Sequence, residues 1–316
     1  MTIAQNRAEL LFGTNLVAMV TPMLPDGTLD STGITRLVDH LLSTGCDGIV
    51  VGGTSGESPT LTEPEMARLI RVVSAQTKNR ARVIAGVGTY NTADSIRRAH
   101  EAEAAAADAV LLVCPYYSRP TQAGIVAHCV AVADATELPV MLYDVPARTG
   151  VAMEASTLIE LSDHPRIRAV KDAKGDLFEA MTVMSRTSLA YYCGIDELNL
   201  PYLACGATGV VSVVGNILAH RNAELIHAVR SGDLNAANAV QRSLLDIVDA
   251  VMRTSQGAVM AKAALAELGI IPHAAVRLPL IESPPAHLRR LIEAMHTLSV
   301  AVQPSVRGSL TVSRTC

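Results

Sequence analysis

Eight times between residues 16 and 229 a short, mostly aliphatic run is followed by a stretch of helical period. The runs occupy 16–20, 48–51, 82–86, 109–113, 140–143, 166–173, 189–193 and 209–213. They are continuous rather than alternating in polarity, as expected of strands buried on both faces of a parallel sheet. A strand that returns in parallel needs a crossover, and a helix between runs supplies it. Eight β-then-α units spaced by roughly 20–35 residues predict an α/β fold of the (β/α)8 TIM-barrel type. The rival is an open doubly wound sheet, which usually has fewer units and a Gly-rich phosphate fingerprint after its first strand. Here the first run ends in Thr21-Pro22.

Local signals support the alternation. Asp30 or Ser31 can cap a helix reaching about residue 42, and Gly45 ends it. Thr62 with Glu65 three residues later reads as a capping box. Beyond Ser231-Gly232-Asp233 the pattern is wholly helical, with amphipathic runs at 234–253, 257–268 and 284–300. The expected organisation is therefore a loosely held tail over 1–14, a barrel over 15–230, a C-terminal helical appendage over 231–300 and a disordered tail over 301–316.

Composition narrows the function classes. Trp is absent and Phe occurs twice, so the core must be aliphatic. A formal charge of -4 without a basic run argues against a nucleic-acid surface. No apolar stretch is long enough to span a membrane, and residues 1–11 lack the apolar core of a signal peptide. Six scattered cysteines without a C-x-x-C motif suggest reduced thiols in the cytoplasm. No His/Cys cluster has metal-ligand spacing, so no metal is expected.

Barrel sites sit at the C-terminal ends of strands. The predicted strand ends bring Thr54, Ser55 and Glu57 together with Tyr116, Tyr117, Tyr143, Arg148, Lys171, Gly194 and Val211. A lysine ending a buried strand gains no ladder bond there, but desolvation favours its neutral, nucleophilic amine. Imine formation with a ketone also needs a proton shuttle, and Tyr143 on the preceding strand is placed to be one. The turn Gly53-Thr54-Ser55-Gly56 can offer backbone N–H groups and two hydroxyls to a carboxylate. Arg148 can clamp a second carboxylate. Gly194 and Val211 complete the predicted substrate-binding set. Each residue alone also has an ordinary reading: Arg148 as a surface ion pair, the tyrosines as core, Glu57 as a cap of the next helix.

Four motifs together resemble the dihydrodipicolinate synthase family, within the pyruvate-dependent class I aldolases. They are Gly53-Thr54-Ser55-Gly56-Glu57-Ser58, Pro115-Tyr116-Tyr117-Ser118-Arg119-Pro120, Tyr143-Asp144-Val145-Pro146-Ala147-Arg148-Thr149-Gly150 and Val170-Lys171-Asp172-Ala173. They occur in the family's order, and the resemblance covers about residues 14–300. It implies that pyruvate forms a Schiff base on Lys171 and that the enamine condenses with L-aspartate 4-semialdehyde, the entry step to diaminopimelate and lysine. It further implies a proton relay of Tyr143, Thr54 and Tyr117, with Tyr117 donated across a dimer interface. Arg148 would hold the aldehyde's carboxylate, no cofactor would be needed, and the assembly would be a homotetramer built as a dimer of dimers.

The chain departs from the family pattern at three places. Ser55 stands where the family usually has a second threonine, and it keeps the hydroxyl. Ile195 stands where a polar residue is usual, which bears on the second substrate. Glu63 and Met66 occupy the positions of two histidines that line the inhibitor site of lysine-inhibited members, so lysine feedback is expected to be weak or absent. Two alternatives stay open on the sequence. One is a sister lyase, such as N-acetylneuraminate lyase or a 2-keto-3-deoxy sugar acid aldolase; the other is a non-catalytic paralogue that senses a keto acid.

Overall fold

Eight parallel strands close on themselves in chain order, β1 beside β2 through β8 and β8 back against β1. The computed structural model describes residues 3–298. The strands are β1 (Asn15–Ala18), β2 (Gly48–Val51), β3 (Arg82–Gly86), β4 (Ala109–Val113), β5 (Val140–Asp144), β6 (Ile167–Asp172), β7 (Ala190–Cys193) and β8 (Gly209–Ser212). Around them lie α1 (Ile3–Phe12), α2 (Ser31–Ser43), α3 (Glu63–Thr77), α4 (Thr92–Ala104), α5 (Gln122–Asp134), the single turn α6 (Pro146–Thr149), α7 (Ala155–Leu161), α8 (Leu177–Arg186), α9 (Asn199–Ala204) and α10 (Gly215–Arg230). The C-terminal helices are α11 (Leu234–Ser243), α12 (Leu245–Val248), α13 (Gly257–Glu267) and α14 (Pro285–Thr297). The fold is the predicted TIM barrel with helices beyond it.

The caps are those the sequence offered. Asp30 accepts the Gly33 N–H, and Thr62 and Glu65 form the reciprocal box that opens α3. The core is aliphatic, with Leu16, Ile49, Val83, Val110, Leu142 and Val170 among its fully buried members.

Three expectations differ from the structure. Residues 3–12 are a helix rather than a loose tail. Phe12 is buried with its ring edge against Tyr192, whose hydroxyl donates to the Gly13 carbonyl at 2.8 Å. The Asp47 carboxylate then takes the N–H groups of Thr14 and Asn15, fixing the entry into β1. The run at 234–253 is not one helix: it breaks at Leu244 and ends in a π-helical turn, Asp249–Arg253. The last barrel helix, which the sequence pattern places at about 221–229, begins instead at Gly215, with a kink at Leu218. The tail expected to be disordered, 301–316, lies outside the described residues.

One buried ion pair joins the two parts of the chain. Lys262 of α13 is fully buried and donates to a carboxylate oxygen of Glu57, in the turn after β2, and to the Ala275 carbonyl at 2.7 Å. The other Glu57 oxygen accepts the Arg277 N–H at 3.0 Å. Arg277 in turn donates to the carbonyls of Gly27 and Thr60 and pairs with Glu65, whose carboxyl it holds down at about 2. Removing one partner of a buried pair leaves an uncompensated charge. Lys262→Met should therefore cost about 3–5 kcal/mol in urea unfolding, and Glu57→Gln with Lys262→Met should recover most of it. Equal stability of the single and double variants would contradict this account.

Candidate active site

The ladder between β5 and β6 sets Tyr143 directly beside Lys171. Successive strand residues face opposite ways. Tyr143 and Lys171 therefore turn inward together, and Asp144 and Asp172 turn outward together. Lys171 Nζ stands 4.1 Å from the centroid of the Tyr143 ring, over its face. Both side chains are about 5% exposed. They share a cavity of about 210 Å³ with Thr54, Ser55, Arg148, Gly194, Ile195, Glu197 and Val213.

Each strand exit is shaped to present its residue. Gly52 ends β2 at φ +63°, and a Cβ there would overlap the Met66 thioether at 2.3 Å. The turn that follows closes on Gly53, whose carbonyl accepts the N–H of Gly56 and of Ser58. The Glu57 N–H goes back to Thr54, while the N–H groups of Thr54 and Ser55 have no hydrogen-bond partner among the described residues. Two successive free donors with two hydroxyls make a nest for an anion. Gly194 clears space for the nucleophile, because a Cβ there would come within 2.9 Å of Lys171 Cε. Arg148 sits on α6, which Pro146 opens and Gly150 closes at φ +77°. Its guanidinium has no ion pair among the described residues, which disposes of the surface-pair reading.

The outward carboxylates hold the exits in place. Asp172 takes the N–H groups of Lys174 and Gly175. Burial pushes the Asp144 carboxyl up to about 6, against the pull of Lys174 at 3.4 Å and of the Met153 N–H. Asp196 accepts the N–H groups of Val213 and Val214 and the hydroxyl of Ser212, so it fixes the exit of β8.

Four of the residues predicted at the strand ends, Val211, Tyr117, Tyr116 and Glu57, do not line this cavity. Val211 pairs with Leu16 in the barrel wall, one inward layer below Val213, and Val213 is the one that lines the cavity. Tyr117 lies on the loop after β4 at φ +71° and is 91% exposed. A non-glycine residue in that left-handed region stores backbone strain. Its neighbour Tyr116 turns the other way and packs edge-on against Tyr90 at 5.4 Å. Tyr116 and Tyr90 line a second cavity of about 450 Å³ that shares Thr54, Val145 and Arg148 with the first. Glu57, read as a helix cap, instead pairs with Lys262. Glu63 is paired with Arg97, and Met66 is packed against Gly52.

Sequence reasoning missed Glu197, Met252, Gln256, Gly257 and Ala258 on the cavity wall. Glu197 was within reach of the strand-end rule, since it follows Gly194 by three residues. The other four come from the C-terminal segment, where the stretch Arg253-Thr254-Ser255-Gln256-Gly257 resembles the family but carries no sign that it reaches the cavity. Among the described residues no group of three His, Cys, Asp or Glu side chains is placed to hold a metal ion.

The profile of the dihydrodipicolinate synthetase family matches residues 11–297. The chain is 48% identical over 293 residues to the 4-hydroxy-tetrahydrodipicolinate synthase of Mycolicibacterium paratuberculosis, covering 93% of this chain and 97% of that one. Its structure is similar to dihydrodipicolinate synthase from Bacillus anthracis, with a TM-score of 0.87 at 39% identity, covering 90% and 98% of the two chains. It is also similar to the dihydrodipicolinate synthase of Acinetobacter baumannii solved with pyruvate, at a TM-score of 0.88 and 33% identity, covering 91% and 99%.

The raised Asp144 carboxyl has a consequence for stability. The folded chain holds this proton more tightly than the unfolded chain, whose carboxyl has the ordinary value of 3.8. The stabilisation is complete below about pH 4 and is lost as pH rises through about 6. The wild-type chain should therefore lose stability relative to Asp144→Asn across that window, as read by urea unfolding at fixed ionic strength. Parallel curves for the two proteins would refute the assignment.

Proposed function

Because the chain belongs to the dihydrodipicolinate synthetase family and is a lyase with 4-hydroxy-tetrahydrodipicolinate synthase activity, we propose that it works through a Schiff base on Lys171. The observation that carries this is the lysine amine at 4.1 Å from the Tyr143 ring, nearly sealed from water and facing the same cavity as Arg148.

The carboxylate of pyruvate docks on the free N–H groups and hydroxyls of Thr54 and Ser55. This leaves its carbonyl to the Lys171 amine. Attack gives a carbinolamine, and loss of water gives the imine. Tyr143 supplies the proton that the departing hydroxyl needs and takes one back. Transfer of a methyl proton to the Tyr143 relay then yields the enamine, whose carbon attacks the aldehyde of L-aspartate 4-semialdehyde, and the relay returns that proton to the new alkoxide. Arg148 receives that aldehyde's carboxylate, and its α-ammonium, after giving up a proton, adds to the imine carbon as the C–N bond to Lys171 breaks and the lysine leaves as the amine. No cofactor enters, because the imine itself is the electron sink. Gly194 keeps the lysine side chain free to move between these states. Nothing in the cavity favours a sugar-derived aldehyde or a silent, sensing role.

Tyr117 completes the relay from a neighbouring subunit in this reading. Its support is a strained, outward-facing tyrosine one residue from Tyr116, which lines the adjoining cavity. Phe178 and Met181 on α8 are also exposed and offer an apolar second contact for a dimer of dimers. The buried, unpaired thiols of Cys46, Cys114, Cys129 and Cys193 suit a reducing cytoplasm, and no described helix is long and apolar enough to cross a membrane.

Borohydride reduction in the presence of pyruvate should leave one adduct, on Lys171, found by peptide mass spectrometry and absent in Lys171→Ala. An adduct on another residue, or none, would remove the covalent mechanism. Sedimentation velocity should give a tetramer at micromolar concentration; a monomer that condenses the two substrates at full rate would exclude a donated Tyr117.

A further inference from the structure

We propose that Glu197 selects the second substrate by binding its α-ammonium group, so that the cavity recognises the aldehyde as a zwitterion. The inference rests on the function proposed above and names what that function leaves open.

Glu197 is the one carboxylate among the described residues that line the Lys171 cavity. It lies half-buried in the turn Asp196–Leu198 after β7. No cation stands within ion-pair distance of it, and no hydrogen bond is made to its side chain by a described residue. Its position is nevertheless fixed from both sides. Asp196 before it is buried and bonded to Ser212, Val213, Val214 and Asn199. Leu198 after it donates its N–H to the Ile195 carbonyl at 2.8 Å.

The cavity wall sets apolar Ile195, Ala173, Val213, Met252 and Ala258 beside polar Thr54, Ser55 and Gln256, and no other carboxylate among the described residues shares it. A partly desolvated carboxylate without a partner is unfavourable, and a cationic ligand relieves it. Pyruvate brings no cation, and neither does a plain keto or aldehyde acid. An amino-acid aldehyde does. Arg148, also without an ion pair among the described residues, lines the same cavity and takes the carboxylate of that molecule. The ammonium and the carboxylate, both borne on the α-carbon, then meet an anion and a cation, and the aldehyde carbon is left facing the enamine. Ile195 accordingly does not remove recognition from this wall; the polar contact comes from two residues further on.

The test compares L-aspartate 4-semialdehyde with succinate semialdehyde, which keeps the aldehyde and carboxylate and lacks the amine. Carbon–carbon bond formation is followed as pyruvate consumption and product mass. Glu197→Gln should lower kcat/KM for aspartate semialdehyde about ten- to hundredfold, the loss of one charge-assisted bond. Succinate semialdehyde should change less than twofold, as should the pyruvate concentration that half-saturates borohydride trapping. Glu197→Asp should recover part of the loss, and unchanged thermal unfolding of both variants shows that the fold is intact. An equal fall with both aldehydes, or no fall with either, overturns the proposal while leaving the Schiff-base reading in place. A wild-type protein that yields no trapped pyruvate overturns that reading and this proposal with it.

Discussion

The buried pair of Lys262 and Glu57 is the constraint on which the site depends. The turn after β2 must leave the N–H groups of Thr54 and Ser55 unbonded, so it cannot be held by a full set of its own hydrogen bonds. Glu57 closes it at φ +58°, a conformation that costs a non-glycine residue about 1–2 kcal/mol. Something outside the turn has to hold it. Lys262 and the Arg277 N–H do so, reaching from more than 200 positions away in the chain. Burial pushes the Lys262 ammonium down, and Glu57 pulls it back toward the charged form. The C-terminal helices are therefore no mere appendage. They supply the fixed charge that keeps a strained turn in shape, and they wall the cavity with Met252, Gln256 and Ala258.

Strand parity divides the remaining work. At the ends of β5 and β6 the inward residues, Tyr143 and Lys171, face the cavity, and their outward neighbours, Asp144 and Asp172, hold the loops. The same division appears after β7, where Asp196 is spent on the exit of β8 and Glu197 is left free for the cavity. Acidic residues beside Lys171 thus stabilise backbone without presenting charge to it.

The same physics explains what could be read from the chain. Buried parallel strands are continuous aliphatic runs, so the barrel was legible, and the strand-end rule then delivered Thr54, Ser55, Tyr143, Arg148, Lys171 and Gly194 to one cavity. Val211 was misplaced by one inward layer, because strand length sets which side chain meets the cavity and the ends of a strand are its least sharply defined part. Phe12 was overlooked because Gln5, Asn6, Arg7 and Glu9 marked the segment as a tail, although Ala8, Leu11 and Phe12 recur at helical spacing and pack on the core. Lys262 and Arg277 were invisible for a different reason: a lysine among alanines on a helix carries no sign of which loop it will meet.

Charge balance connects these elements to the chemistry. In the mechanism proposed above, the protonated imine would give the cavity two cations, at Lys171 and Arg148, and one anion, Glu197. The two substrates bring the complement: two carboxylates and one ammonium. A cavity with this balance can close over both molecules without burying an uncompensated charge, which is the condition under which a low-dielectric site costs least. Replacing the amino-acid aldehyde by one without an amine leaves Glu197 without a cationic partner from the substrate. Replacing it by a neutral sugar aldehyde leaves Arg148 unpaired as well. The preference for a zwitterionic partner follows from the same desolvation penalty that makes the Lys262–Glu57 pair indispensable at the base of the turn.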